Sequence, residues 1–219
     1  MSEKNYRETN IRDEINKKIN TIDKTRTNRI FASERLYNYS KKWEVVFFLM
    51  NVLAIIFLIS STLVPSESKL MTFVSGCFSL YTIITQYYYN NLNYRERGLE
   101  FHYLELDLER LIIQLKTILR DTNMTDLDLE REYSYIMNNY ISSLKGYENH
   151  EDIDNEKRKE DHKLEILMSC NQYRIKRYIK WDSDSSFYRI NLLIIFIFFA
   201  LYIKFLYNSV DFFRIWAHL

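Results

Sequence analysis

The sequence predicts an all-α membrane protein with a transmembrane helical hairpin, a third C-terminal span and a cytoplasmic helical or coiled-coil region. Residues 45–64 and 70–89 form two apolar blocks that contain no Asp, Glu, Lys or Arg. Each block has the length of about twenty residues that an α-helix needs to cross a hydrocarbon core. The 219 residues also include only three glycines and one proline, so the residues that usually form turns are scarce. These observations together predict a chain that is almost entirely helical.

Residues 1–44 are polar, carry charges of both signs and predict a cytoplasmic helical segment that leads into the first span. Lys and Arg are frequent before residue 45, after residue 89 and before residue 190, whereas the turn at 65–69 contains Lys69 as its single basic residue. Because Lys and Arg are enriched in cytoplasmic loops, the N-terminus of this multi-pass protein is expected on the cytoplasmic side of the plasma membrane.

The second apolar block carries polar side chains along one helical face. They recur at alternating spacings of three and four residues: Thr72, Ser75, Ser79, Thr82 and Gln86. Small and hydroxylated side chains let transmembrane helices approach closely, so this face could pack against another helix. In an oligomer the same face could instead line an aqueous path through the membrane. The sequence leaves both interpretations open.

Residues 90–189 predict a cytoplasmic helical region. Apolar residues on its first helix follow a heptad-like rhythm: Phe101, Leu104, Leu108, Leu111, Leu115 and Ile118. Further apolar stripes follow after a polar break at 121–126. The stripes predict either a helical bundle within one chain or an intermolecular coiled coil. The first of these helices is expected to continue directly from the second span.

A third apolar run, residues 190–207, is expected to form a third transmembrane helix, followed by a tail at 208–219. It contains Asn191 near its start and Lys204 near its end, so its uninterrupted apolar core is close to the lower length limit for a span. The alternative is a helix that lies at the membrane interface. If the run does span, an odd number of spans places the tail outside the cell.

No catalytic motif is evident, and neither enzymatic activity nor a cofactor is expected. Three glycines cannot build a glycine-rich phosphate loop, and neither His-Glu-x-x-His nor Gly-x-Ser-x-Gly occurs. A net charge of +1 gives no support to direct nucleic-acid binding. The segment from Glu148 to Asp154 places one histidine among four carboxylates. Because ligand spacing and a second histidine are missing, this segment is interpreted as a polar interaction loop rather than a metal site.

Three short segments around the hairpin carry a family resemblance. Ala32-Ser33-Glu34-Arg35-Leu36 precedes the first span, and Tyr94-Arg95-Glu96-Arg97-Gly98-Leu99-Glu100-Phe101-His102 follows the second. The third segment, from Asn149 to Asp154, has the pattern Asn-His-x-x-Ile-Asp. Over residues 30–161 the chain resembles the SLATT family, small two-span effectors that accompany SMODS nucleotidyltransferases and SLOG sensors in bacterial conflict systems. The third segment is similar to the signature of one SLATT subgroup.

The resemblance implies an effector of an antiphage system in the bacterial inner membrane. Members of this family are thought to open or disrupt the inner membrane when an upstream sensor signals infection; for this chain we expect a homo-oligomer that forms a pore or disrupts the bilayer, with abortive infection as the result. The resemblance also implies a signal from a co-encoded nucleotidyltransferase, reverse transcriptase or other sensor; the alternative is a membrane tether that recruits such an enzyme. By position it implies candidate residues without assigning them a chemical role: Arg35, Arg95, Arg97, His102, Asn149, His150 and Asp154. The third apolar run departs from the two-span family pattern.

Overall fold

The structure is a computed structural model that describes residues 10–63, 68–146, 148–149, 151–169 and 183–217. Every regular element in these ranges is a helix: α1 (Ile11–Leu63), α2 (Ser68–Leu92), α3 (Tyr94–Arg120), α4 (Asp126–Leu144), α5 (Asp152–Ser169) and α6 (Ser183–Ala217). The predicted all-α fold class is confirmed. The chain divides into two compact units, the first formed by Met1–Tyr37 with Arg95–Tyr178 and the second by Asn38–Tyr94 with Ile179–Leu219. Helix α1 contributes residues to both units.

The first unit has a continuous apolar core. Isoleucines recur at spacings of four and three residues along α1, and the heptad stripe of α3 packs with them together with two residues of α4. The buried members of this cluster are Ile15, Ile19, Ile22, Leu104, Leu108, Leu111, Ile112, Leu115, Ile118, Leu129 and Ile136. The apolar stripe that the sequence places on α3 is therefore buried by packing within a single chain.

Helix α3 does not continue directly from α2, contrary to the expectation. Helix α2 ends at Leu92 and α3 begins at Tyr94. Asn93 between them has a φ of +46°, in the left-handed region that asparagine tolerates better than most residues. The break is set by the conformation of one residue, which hydrophobic periodicity does not report.

In the second unit, aromatic contacts align α2 against α1. The rings of Trp43 and Tyr89 lie 5.6 Å apart, and those of Phe57 and Phe78 lie 5.4 Å apart. Later residues of α1 therefore meet earlier residues of α2, so the two helices are antiparallel. This is the arrangement expected of a hairpin with a short connection.

Helix α6 packs in the same unit and runs parallel to α1. Trp43 contacts Phe187 with ring centroids 5.4 Å apart. Further along both helices, Phe57 lies 6.3 Å from Phe198, and the hydroxyls of Ser60 and Tyr202 are 2.9 Å apart. The order of contacts is thus the same along both helices, and α6 completes a three-helix unit.

The second unit has the surface pattern of a helical bundle in lipid. Large apolar side chains point outward on all three helices, including Val45, Phe48, Ile55, Leu58, Phe73, Leu80, Ile84, Leu193, Phe196 and Ile203. Small or polar side chains are buried between the helices, including Ser60, Ser61, Ser75, Thr82, Thr85 and Asn191. A soluble domain would bury the first set and expose the second.

Length and composition identify two candidate membrane spans among the described residues. They lie within Ile11–Thr62 of α1 and Ser185–Lys204 of α6. Helix α2, the predicted second arm of the hairpin, does not qualify by these criteria because its serine, threonine, glutamine and tyrosine residues lower the mean hydropathy. The candidate span in α6 overlaps the apolar run that the sequence places at residues 190–207.

Candidate functional site

A cluster of arginines and carboxylates in the first unit contains several of the residues that the sequence singles out. At its centre, Arg35 of α1 faces Asp154 of α5. The Nε atom of Arg35 donates to Oδ1 of Asp154 at 2.9 Å, and a second guanidinium nitrogen donates to Oδ2 at 3.1 Å. Glu151 forms another ion pair with Arg35 at 3.1 Å. The planar guanidinium group therefore binds Asp154 through two parallel hydrogen bonds, the strongest geometry available to this pair.

Asp154 is placed by the start of α5, which begins at Asp152. Its side chain is 1% exposed, and Oδ2 also accepts a hydrogen bond from the backbone N–H of Glu151 at 3.1 Å. A carboxylate in the first turn of a helix is favoured by the helix dipole and can accept from free N–H groups there. Arg35 compensates the buried negative charge, so α5 is attached to α1 at its first turn.

A second set of contacts forms around Glu148. Arg97 of α3 donates to both carboxylate oxygens of Glu148, at 2.8 and 2.7 Å. The backbone carbonyl of Glu148 accepts a hydrogen bond from Arg29, whose guanidinium lies 5.0 Å from the ring centre of Phe101. Burial lowers the pKa of the Arg29 guanidinium, while the carboxylates of Asp154 and Glu148 act in the opposite direction. The segment before α5 is therefore held by arginines from both α1 and α3.

Helices α1 and α3 approach closely where two segments of the family resemblance meet. The Oγ of Ser33 donates to the carbonyl oxygen of Gly98 at 2.8 Å. A Cβ atom at position 98 would lie 3.4 Å from the Cβ of Leu36. A Cβ atom there would thus be in ordinary van der Waals contact, so the two helices pass within one methyl group of each other at Gly98. The crossing brings the two arginine-bearing segments, which are more than sixty residues apart in sequence, into contact.

The structure brings together three of the seven candidate residues from the family resemblance: Arg35, Arg97 and Asp154. Arg95 is exposed, and so is Asn149. His102 pairs with Glu105 on its own helix at 3.3 Å. His150 lies outside the described residues.

The sequence did not identify other contacts of this cluster. Arg29 binds the backbone of Glu148, and Ser33 binds the backbone of Gly98. Glu148 pairs with Arg97, and Glu151 pairs with Arg35. The sequence feature that could have identified them is the group of carboxylates in residues 148–154, which predicts basic partners in other segments of the chain. In the part of the chain that the structure describes, no three His, Cys, Asp or Glu side chains are grouped to hold a metal ion. Three carboxylates of this segment, those of Glu148, Glu151 and Asp154, instead pair with guanidinium groups.

The polar stripe of α2 divides into two lines that face different surroundings. Ser75 and Thr82 are buried, and their hydroxyls donate to carbonyl oxygens of their own helix, at 3.0 and 2.9 Å. Thr72 and Gln86 are exposed, and Ser79 between them is half-buried. Members of each line are seven residues apart, which corresponds to nearly two helical turns. The buried line serves helix packing. The outward line, Thr72, Ser79 and Gln86, lies on the less covered side of α2, with Ser79 at its edge.

Polar contacts within the second unit also fix α6. The hydroxyl of Tyr81 donates to Oδ1 of Asn191, and the Nδ2 group of Asn191 donates to the carbonyl oxygen of Phe187 at 2.8 Å. Asn51 of α1 likewise donates to the carbonyl oxygen of Phe47 at 2.8 Å. The Asn191 side chain, which is 1% exposed, is thus bound inside the bundle, as a low-dielectric environment requires, whereas Asn51 is exposed and binds a carbonyl of its own helix.

These contacts hold helices together and do not form a nucleophile with a neighbouring base. A family model described as SMODS and SLOG-associating 2TM effector domain family 5 matches residues 11–207. No curated protein matches the chain, and no solved structure matches it. The match includes the arginine–carboxylate cluster, the α1 and α2 helices of the second unit, and α6 as far as residue 207.

Proposed function

This chain belongs to the SMODS and SLOG-associating 2TM effector domain family 5, and we propose that it is a non-enzymatic effector of the bacterial inner membrane that oligomerises and opens a leak when a partner enzyme signals infection. The first unit, with its arginine–carboxylate cluster, receives the signal. The second unit forms the path through the bilayer. Loss of membrane potential then stops growth of the infected cell.

One observation supports the proposed leak: the outward line of Thr72, Ser79 and Gln86 on α2 is polar. Gly76 lies on the same face, and a Cβ atom at this position would meet open space. Helices in lipid bury polar groups against partners, because hydrocarbon offers no hydrogen bonds. A second copy of the chain supplies the matching polar face. In a ring of copies these faces would surround an aqueous column whose walls are polar.

The leak is tested by replacing the outward line in the full-length protein. We expect Ser79→Leu combined with Gln86→Leu to abolish depolarisation, because the wall of the path becomes apolar and excludes water. The matched control is Leu80→Ile combined with Tyr87→Leu, one position further along, where both side chains face outward and are exposed by 59% and 71%. Membrane potential and growth are followed with a voltage-sensitive dye, at equal membrane abundance and with the neighbouring genes present.

Depolarisation that persists in the double leucine variant would remove the pore-lining role of this face. Ser75→Leu is unsuitable for this test, because Ser75 is 2% exposed and a leucine there would disturb packing within the chain. The rival function is a tether that recruits an enzyme to the membrane. A tether would retain its activity when an unrelated transmembrane segment replaces the second unit, whereas a leak-forming effector would lose it.

The parallel packing of α6 and α1 supports a third span within this function. Two parallel helices that both cross the bilayer deliver their C-terminal ends to the same side. With a cytoplasmic N-terminus, we expect an alkaline phosphatase fused after Leu219 to be active and a green fluorescent protein fused there to be dark. Fusions at the N-terminus give the opposite result. A fluorescent C-terminal fusion would instead place α6 at the interface.

A further inference from the structure

The first unit contains a cleft between α1 and α5 that the ion-pair cluster does not use. Its volume is about 700 Å³, within the range of small-molecule sites. The residues that line it are Asn20, Asp23, Lys24, Thr27, Phe31, Arg158, Asp161 and His162. From their charges we propose that this cleft binds a small phosphate-bearing molecule, and that the ligand is the signal received by the effector. The second part of the inference rests on the proposed function.

Arg158 is the group that points to an anion. Its Nε donates to Oδ1 of Asn28 at 2.9 Å, and a terminal guanidinium nitrogen donates to Oδ1 of Asn155 at 2.8 Å. Both partners are neutral amides, and none of the described ion pairs involves this arginine. Arg35 and Arg97, by contrast, are bound by carboxylates. Arg158 is therefore fixed in position while its charge stays available for a phosphate.

The remaining lining residues complete the site. Lys24 adds a second positive charge from α1. Of the two lining carboxylates, Asp23 is paired with Arg26 at 3.2 Å, which leaves Asp161 as the acidic group that opposes an anion. The ring of Phe31 supplies an apolar wall; the ammonium group of Lys157 lies over this ring, 4.5 Å from its centre, and pairs with Glu34 at 3.3 Å. An apolar wall in a cleft that also contains Arg158 and Lys24 suits a phosphate that carries an organic group, as in a nucleotide.

The position of the cleft connects binding to the ion-pair cluster. Lys24 belongs to α1 and Arg158 to α5, so one phosphate group can bridge both helices. Helix α5 is also the element whose first turn is attached to α1 through Asp154 and Arg35. A ligand that prefers one arrangement of α5 on α1 shifts the equilibrium toward it by the difference in its two affinities. The bound molecule thus acts on the element that carries the cluster.

The site is tested by titrating the full-length protein in detergent with ATP and with tripolyphosphate, using thermophoresis. We expect saturable binding that weakens roughly tenfold in Arg158→Gln, because one charge-assisted contact is lost. Asp161→Asn is expected to tighten binding by roughly threefold, because it removes a repulsive charge at a partly exposed site. The matched control is Arg131→Gln, an arginine of α4 that is 74% exposed and pairs with Asp128 of its own helix. Circular dichroism confirms that the variants are folded.

A further arm adds short-chain phosphatidylglycerol, since a lipid headgroup carries the same phosphate chemistry. Binding to this lipid alone, with the same opposite effects of the two cleft variants, would support the site and identify a headgroup as its ligand. Two results would overturn the proposal: no saturable binding to any probe, or equal weakening by Arg131→Gln. The binding assay does not depend on leak formation. Saturable phosphate binding without any change in membrane potential would therefore refute the signalling role of the ligand, while the binding site itself would stand.

Discussion

Replacement of Asp154 by alanine is expected to lower the free energy of unfolding of the first unit by about 3–5 kcal/mol, the cost of breaking a buried ion pair on one side. Asp154 is 1% exposed, and the side chain of Arg35 is 11% exposed. The substitution removes a buried carboxylate that accepts two hydrogen bonds from Arg35 and one from the backbone of Glu151. The half-exposed Glu151 still pairs with Arg35, which favours the lower end of the range.

The measurement is urea unfolding of the full-length protein, followed by circular dichroism. Glu148→Ala serves as the matched control, because Glu148 is 49% exposed in its pair with Arg97 and such exposed pairs contribute only about 0–1 kcal/mol. A double variant, Arg35→Met with Asp154→Leu, should recover much of the loss, since neither charge is then left buried alone. Equal effects of Asp154→Ala and Glu148→Ala would contradict the central position given to Asp154.

Replacement of Leu108 by alanine should destabilise the first unit by about 2–5 kcal/mol, because it leaves a cavity among packed helices. Leu108 is fully buried in the core shared by α1, α3 and α4. Leu106, two residues earlier on the same helix, is 43% exposed. Leu106→Ala is therefore the matched control and should cost below about 1 kcal/mol, as surface substitutions usually do.

Both variants are compared by urea unfolding at several protein concentrations. A large, concentration-dependent loss in Leu106→Ala would mean that the outer face of α3 pairs with a second copy, which is the coiled-coil alternative. A small loss in Leu108→Ala would contradict the intramolecular bundle. The two leucines have the same helix propensity, so the comparison isolates burial from local helix preference.

The residues named from the family resemblance show how much of the arginine–carboxylate cluster could be predicted from the sequence. Arg35, Arg97 and Asp154 could be named from their motifs, but their partners could not. Arg35 and Asp154 are 119 residues apart, and many carboxylates compete for each arginine in a charged chain. The close crossing at Gly98 and the neutral partners of Arg158 depend likewise on how whole helices pack.

The sequence by itself determined the features that depend on neighbouring residues: the helical character of the chain, the heptad stripe of α3 and the apolar runs that lie in α1 and α6. Hydrophobic periodicity and the length of apolar runs are local quantities, and packing leaves them unchanged. The tertiary structure decided which half of the polar stripe on α2 faces inward. Ser75 and Thr82 pack inside the bundle while Thr72 and Gln86 point outward, because α1 and α6 can cover only one side of a helix whose polar residues extend over a wider arc.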